Sequence, residues 1–159
     1  PYYLTWKARE FGFHTSMIEN SMIINDKMPE YCVERCYKVL NRQKKAMSSS
    51  KILVLGVAYK NDIDDYRESP ALKLIDLLKK EDALVDFYDP YISEYKYHGK
   101  IYEGIKGINP KTLSQYDLII IATAHKSYDL DMIQKNSKVI FDTRNAMKEI
   151  THRENIELI

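Results

Sequence analysis

Residues 51–70 read KILVLGVAYKNDIDDYRESP, and this stretch decides the fold. Ile52-Leu53-Val54-Leu55 is an apolar, β-branched-rich run, too short for a helix and typical of a strand buried on both faces. Gly56 ends it where the chain needs a permissive backbone. Ser69-Pro70 then reads as a helix N-cap followed by proline at the first helical position. Leu72, Leu74, Ile75, Leu77 and Leu78 come next at helical spacing. Strand, loop and helix succeed one another, and the loop carries Lys60, Asp62, Asp64, Asp65, Arg67 and Glu68. A loop at the carboxyl end of a parallel strand, leading into a helix N-terminus, is where α/β folds bind anions.

Outward from this unit, the pattern repeats. Ala83–Tyr88, Asp117–Ala122 and Lys138–Phe141 are further strand candidates, and Asn155–Ile159 is expected as a last, edge strand. A helix is expected from Ser69 to about Lys80, a short one from Asn109-Pro110, and another over Tyr128–Lys135. Residues 91–109 are rich in Tyr, Lys and Gly, with a short strand expected near Lys100–Tyr102. Strands alternating with helices predict an α/β fold, a doubly wound parallel sheet of Rossmann-like kind. A long helical segment precedes it. Over Thr15–Met47, Met17, Ile24, Met28, Cys32, Cys36, Val39 and Leu40 recur at threes, fours and a seven. Pro29 inside this segment predicts a kink, or two helices meeting with Pro29 in the first turn of the second. A short helix over Leu4–Glu10 should end at Gly12. The polar run Asn41–Ser50, closing on three serines, divides residues 1–47 from a sheet domain at 51–159.

Composition excludes several classes. The chain has 159 residues, a formal net charge of +1 and 30% charged residues, so no strong field points to nucleic acid or an acidic membrane. Its apolar runs fall far short of the ~20 residues of a membrane span. Two cysteines and no export signal in the sequence make a reducing cytoplasm the expectation.

The motif G-V-A-Y-K-x-D-x-x-D-x-R-E-S-P resembles the signature of the C-terminal, UDP-binding domain of the nucleotide-sugar 6-dehydrogenases, the UDP-glucose and UDP-N-acetylhexosamine dehydrogenase family. Tyr88-Asp89-Pro90 resembles the family's Y-D-P, and Phe141-Asp142-Thr143-Arg144-Asn145 its late D-x-R-N. Pro1-Tyr2-Tyr3-Leu4 resembles the residues after the catalytic cysteine in the N-acetylhexosamine branch. The resemblance implies a fragment: a preceding NAD domain and the nucleophilic cysteine would lie before Pro1, so no catalytic residue is assigned here and the fragment alone should be inactive. It implies that Tyr59 and Lys60 bind the UDP-sugar, that Arg144 does so too, and that Arg67 reaches toward NAD. It implies a homodimer through the long helix. For the intact protein it implies oxidation of a UDP-N-acetylhexosamine to the uronic acid by two hydride transfers to NAD, through a cysteine thiohemiacetal and a thioester, in capsule or envelope polysaccharide synthesis. UDP-glucose is the alternative substrate and GDP-mannose a more distant one. A standalone, non-catalytic nucleotide-binding module and a dimerisation domain are alternatives of other classes.

The residues have plainer readings as well. The loop after the first strand is not G-x-G-x-x-G, so a dinucleotide pyrophosphate cannot approach its backbone in the usual way; a lysine instead offers a point charge for phosphate. Lys60 could equally be a solvated lysine paired with Asp62 or Asp64. Arg67 could be an intraloop partner of Asp64 or Asp65. Asp62 and Asp65 are expected to hold the loop and its cations, and Asp89 to serve a turn. Arg144, after the KVIF strand, should converge with Lys60 where the strand order reverses. Cys32 and Cys36 share a helix face with no nearby Cys/His pair to complete a zinc site, and read as buried apolar residues; no metal is expected. His14, His98, His125 and His152 show neither triad nor metal spacing and read as structural or surface.

Overall fold

The computed structural model describes residues 1–159. Five strands form one parallel sheet: β1 (Lys51–Leu55), β2 (Leu84–Tyr88), β5 (Leu118–Ile121), β6 (Ile140–Asp142) and β7 (Ile156–Leu158), in the spatial order β2-β1-β5-β6-β7. Successive connections therefore run to opposite sides of β1, and the reversal lies between β1 and β5. Crevices at such reversals, beyond the carboxyl ends of the strands, are where open α/β sheets take ligands. β3 (Glu94–Tyr97) and β4 (Lys100–Glu103) do not join this sheet; they form a separate antiparallel hairpin. The strand expected near Lys100 exists, but as half of that hairpin.

Every residue from Ile52 to Leu55 is fully buried, because both faces of the sheet are covered. Ile52 and Val54 face one side with Val85, Phe87, Leu118, Ile120 and Phe141. Leu53 and Leu55 face the other with Ile119, Ile121 and Ile140. The strict alternation is the two-residue period of a strand. The first side is closed by the helix α3 (Pro70–Lys80), through Leu72, Leu74, Ile75 and Leu78, and by the long helix α2 (Ser16–Arg42). The second is closed by α4 (Pro110–Leu113) and α5 (Leu130–Asn136). Three of these helices start on the capping chemistry their sequences advertise. Ser69 Oγ accepts from the Ala71 N–H, Asn109 Oδ1 from Thr112, and Asp129 Oδ1 from Met132.

The first 47 residues differ in detail from the sequence expectation. A helix α1 (Tyr2–Glu10) is followed by Gly12 at φ +70°. α2 then runs as one helix through Pro29, rather than as two helices meeting there, and ends at Arg42 instead of Met47. Pro29 is buried within it, so its packing offsets the lost hydrogen bond. From Pro29 onward α2 belongs to the sheet's own core: Cys32, Val33, Cys36, Val39 and Leu40 are buried against it. Burial raises the thiol of Cys32 to about 11 and pushes that of Cys36 up as well, consistent with inert packing residues. The half before Pro29, and α1, bury little. Tyr3, Trp6, Phe11, Met17 and Ile24 are all more than half exposed, at 73%, 57%, 78%, 85% and 64%.

At the opposite, amino-terminal end of the sheet one carboxylate ties α2's exit to three strands. Asp117 accepts from Lys45 Nζ at 2.6 Å, Lys138 Nζ at 3.0 Å and the Lys51 N–H at 3.0 Å. Burial alone would raise its carboxyl, but these donors outweigh burial and hold it down at about 2. Its folded value lies below the unfolded ~3.9, so this stabilisation is complete above about pH 4 and is lost as pH falls toward 2. Asp117→Asn is expected to lower stability at pH 7 by about 1–2 kcal/mol. In urea denaturation the difference from the parent should shrink as pH falls from 4 toward 2.

Candidate functional site

Gly56 follows β1 at φ +85°. A Cβ there would lie 2.5 Å from Thr123 Cβ and 2.7 Å from the Thr123 carbonyl oxygen. Only glycine permits both the left-handed backbone and this approach of the β1 loop to the β5 loop. The two loops are further tied by Thr123 Oγ1, which donates to the Ala58 carbonyl at 2.7 Å, and by Asn61 Oδ1, which accepts from the Ala124 N–H at 3.2 Å.

The N–H groups after Gly56 do not face an open cradle. Asp89, at the end of β2, is buried, and its Oδ2 accepts from Val57 N–H at 2.8 Å and Ala58 N–H at 3.0 Å. The same oxygen lies 3.0 Å from His125 Nε2, and Oδ1 accepts from Tyr91 N–H at 2.9 Å. His125 Nδ1 accepts the Asp62 N–H at 2.9 Å, so its proton sits on Nε2 and is donated to Asp89. Burial would raise the Asp89 carboxyl; the bonds from His125, Tyr91, Val57 and Ala58 outweigh it and the carboxyl is lowered. An internal carboxylate thus takes the first N–H groups of the β1 loop, the loop on which a dinucleotide fold meets pyrophosphate, and with those donors used the loop does not fit a dinucleotide. Asp89 does more than serve a turn: it is the anion of this loop.

With the backbone donors used, side chains are left to meet a ligand. Tyr59, Lys60 and Arg144 line one groove of about 470 Å³ between α2 and the carboxyl ends of the strands. Its other wall is apolar, formed by Met28, Pro29 and Cys32 of α2 and by Pro70, Ala71 and Leu74 at the start of α3. The groove continues over Asn61 and Ala124. No aspartate or glutamate lines either part. Neither Lys60 nor Arg144 is in an ion pair; Lys60 Nζ stands 5.6 Å from the Tyr59 ring centroid. Arg144 is aimed by its own backbone surroundings. Its Nε donates to the Ala122 carbonyl at 2.7 Å, and its N–H to Asp142 Oδ1 at 3.0 Å. Both terminal nitrogens remain to bind a ligand. Two unpaired cations beside an apolar wall suit an anion joined to a planar apolar group.

Arg67 is elsewhere. Its Nε and Nη2 donate two hydrogen bonds, one to each Asp65 carboxylate oxygen and each at 2.9 Å, and its side chain is 82% exposed. That pairing pulls the Asp65 carboxyl down to about 2. Arg67 lines a separate hollow with Asp26, Glu68, Ser69 and Lys73, so the structure does not bring it to Lys60 and Arg144. Asp62 pairs with neither loop cation; its Oδ1 accepts the Lys126 N–H. Of the histidines, only His125 has a buried structural role here, and its place could have been inferred from Thr123-Ala124-His125 directly following a buried strand at the reversal point. The apolar wall supplied by α2 carries no such signal in the sequence.

The family model for the UDP binding domain of the UDP-glucose/GDP-mannose dehydrogenase family matches residues 53–149. The chain is 34% identical over 155 residues to a UDP-N-acetyl-D-mannosamine dehydrogenase of Pyrococcus horikoshii, spanning 94% of this chain and 34% of that protein. It is 26% identical over 156 residues to a UDP-N-acetyl-D-glucosamine 6-dehydrogenase of Pseudomonas aeruginosa, spanning 94% of this chain and 36% of that one. Among solved structures, the UDP-D-ManNAc dehydrogenase of P. horikoshii matches with a TM-score of 0.72 at 29% identity, over 92% of this chain and 34% of the other. The UDP-N-acetyl-mannosamine dehydrogenase Cap5O of Staphylococcus aureus matches at 0.69 and 28%, over 99% and 35%. The chain therefore spans about a third of the length of the relatives it matches.

The Asp89 junction is expected to dominate local stability. Asp89→Ala leaves three N–H groups and His125 Nε2 without an acceptor, and urea denaturation should show a loss of about 3 kcal/mol or more.

Proposed function

The chain belongs to the UDP-glucose/GDP-mannose dehydrogenase family, and from that premise we propose that its groove takes the diphosphate and base of a UDP-sugar. One observation carries this reading: Lys60 and Arg144 meet on a groove that no aspartate or glutamate lines, while Arg67 nearby and Lys45 and Lys138 at the far end of the sheet are all paired. Lys60 supplies a point charge and Arg144 a planar fork for the phosphates. Tyr59 and the apolar wall from α2 and α3 suit the base.

In this proposal the chain supplies the UDP-sugar half of the cleft of a 6-dehydrogenase, whose substrate is a UDP-N-acetylhexosamine and whose hydride acceptor is NAD. The relatives named for UDP-N-acetylmannosamine and UDP-N-acetylglucosamine support the acylamino sugar over UDP-glucose. The likeness to CapL of S. aureus, 30% identical over 152 residues, supports a place in capsule synthesis. NAD is not held on the β1 loop, whose backbone donors are taken by Asp89; Arg67, exposed and with Nη1 free, is the residue of this chain that reaches toward it. The dehydrogenase works as a homodimer that covers the exposed apolar residues of α1 and the first half of α2.

The test of the groove is a titration with UDP, followed by amide NMR shifts so that weak binding is read. Each cation should contribute a charge-assisted hydrogen bond of roughly 1.5–3 kcal/mol. Lys60→Ala and Arg144→Ala are therefore each expected to weaken UDP binding about ten- to a hundredfold, whereas Arg67→Ala should leave it unchanged. Unchanged affinity in Lys60→Ala would return that residue to the solvated loop.

The dimer is tested by light scattering, which should give about twice the 18.7 kDa chain mass. Ile24→Asp should return it to the monomer.

A further inference from the structure

The β5 loop, Ala122–Lys126, adds no charged group to the groove, yet it holds both of the groove's cations. The Ala122 carbonyl fixes Arg144 through Nε. On the other side, Lys60 lies midway between two residues that the same loop clamps. Two residues before it, Ala58 accepts from Thr123 Oγ1 and gives its N–H to Asp89. Two residues after it, Asp62 gives its N–H to His125 Nδ1.

That clamp fixes the Asp62 backbone. It sits at φ +62°, a left-handed conformation less favourable than the right-handed one for a residue with a Cβ, though Asp adopts it more readily than most. Two reciprocal bonds impose it: Asp62 N–H to His125, and Lys126 N–H to Asp62 Oδ1 at 2.9 Å. His125 is itself immobilised. Its side chain has no exposure, its Nε2 is bonded to Asp89, and its ring is flanked by Tyr91 at 5.1 Å and Tyr128 at 5.4 Å between centroids. Asp89 in turn grips Val57 and Ala58, at the start of the Lys60 segment. One imidazole therefore bridges the carboxylate that holds the segment's beginning and the backbone N–H that holds its end.

We infer that His125 is a positioning residue of the groove, which sets where Lys60 is presented by joining Asp89 to the left-handed Asp62 backbone. The inference rests on the reading of the groove as a diphosphate site. His125 touches no ligand; it acts through the Asp62 backbone, as outer hydrogen-bond partners do for groups that bind directly.

The test uses the whole chain, UDP as probe and amide NMR titration, with thermal melting alongside. Glutamine at 125 can reach Asp89 from the Nε2 position but removes the acceptor for Asp62. Asparagine keeps an oxygen near the Nδ1 position and removes the donor to Asp89. His125→Gln is expected to weaken UDP binding about tenfold, and His125→Asn about threefold. In a Lys60→Ala background His125→Gln should weaken binding less than twofold further, because its effect passes through Lys60. A residue that merely packs would lose affinity in step with melting temperature and equally in both backgrounds. That result, or a greater loss in His125→Asn than in His125→Gln, overturns the inference. If His125→Gln does not fold, the same cycle run with His125→Asn decides it: loss only when Lys60 is present supports positioning, equal loss overturns it. Absence of UDP binding by the unaltered chain removes the groove and the inference together. Lys60-dependent binding that His125→Gln leaves intact removes the inference alone.

Discussion

The buried carboxylate of Asp89 is the interaction on which the functional end of this molecule depends. It accepts from Val57, Ala58, Tyr91 and His125, and these donors come from three separate turns of the chain. Val57 and Ala58 open the loop after β1, Tyr91 turns the chain out of β2, and His125 closes the loop after β5. A buried charge without partners would be prohibitively costly; with four donors it becomes a fixed point. Because the carboxylate comes from the protein itself, the β1 loop is shaped like an anion cradle that is already full.

That internal anion explains why ligand recognition here depends on side chains. A glycine-rich loop meets phosphate with backbone N–H groups and a helix N-terminus. In this chain the equivalent N–H groups are satisfied, and the helix α3 starts on Ser69 and Pro70, which cap it without help from a ligand. Lys60 and Arg144 are what remain, and the folding of the loops leaves no carboxylate paired with either side chain. Asp65 is occupied by Arg67, Asp62 by the Lys126 backbone, Asp142 by the backbone of Arg144 and Met147. The loop is rich in acidic residues by composition, yet the groove it borders carries none.

Much of the fold is legible in patterns whose cause is local. β1 stands out because a strand buried on both faces must be apolar at every position, and α3 because Ser-Pro followed by leucines at helical spacing satisfies cap and face together. The hairpin β3–β4 is only half visible. Its residues pair with each other and not with the parallel sheet, and its Tyr95 and Tyr102 stack on each other beside Phe87; such aromatic cross-strand pairing leaves no simple alternation to read. The end of α2 falls short of the expected Met47, which is buried like a helix-face residue although the chain has already turned at Gln43. Pro29 suggests a break that packing against the core removes.

By itself the sequence determined the parallel α/β architecture, the loop with Lys60, and Arg144 after its strand, because period, capping and strand-end position are properties of neighbouring residues. The choice between a free and a paired Lys60, the bidentate pairing of Arg67 with Asp65, the closure of the β1 loop by Asp89 and the bridge made by His125 were decided only by tertiary structure. The last two depend on groups brought together across the sheet, 36 residues apart for Asp89 and His125 and 63 for Asp62 and His125. A carboxylate reads alike along the chain whether it will face water, a lysine or a pair of backbone N–H groups; burial and the donors that surround it set its role.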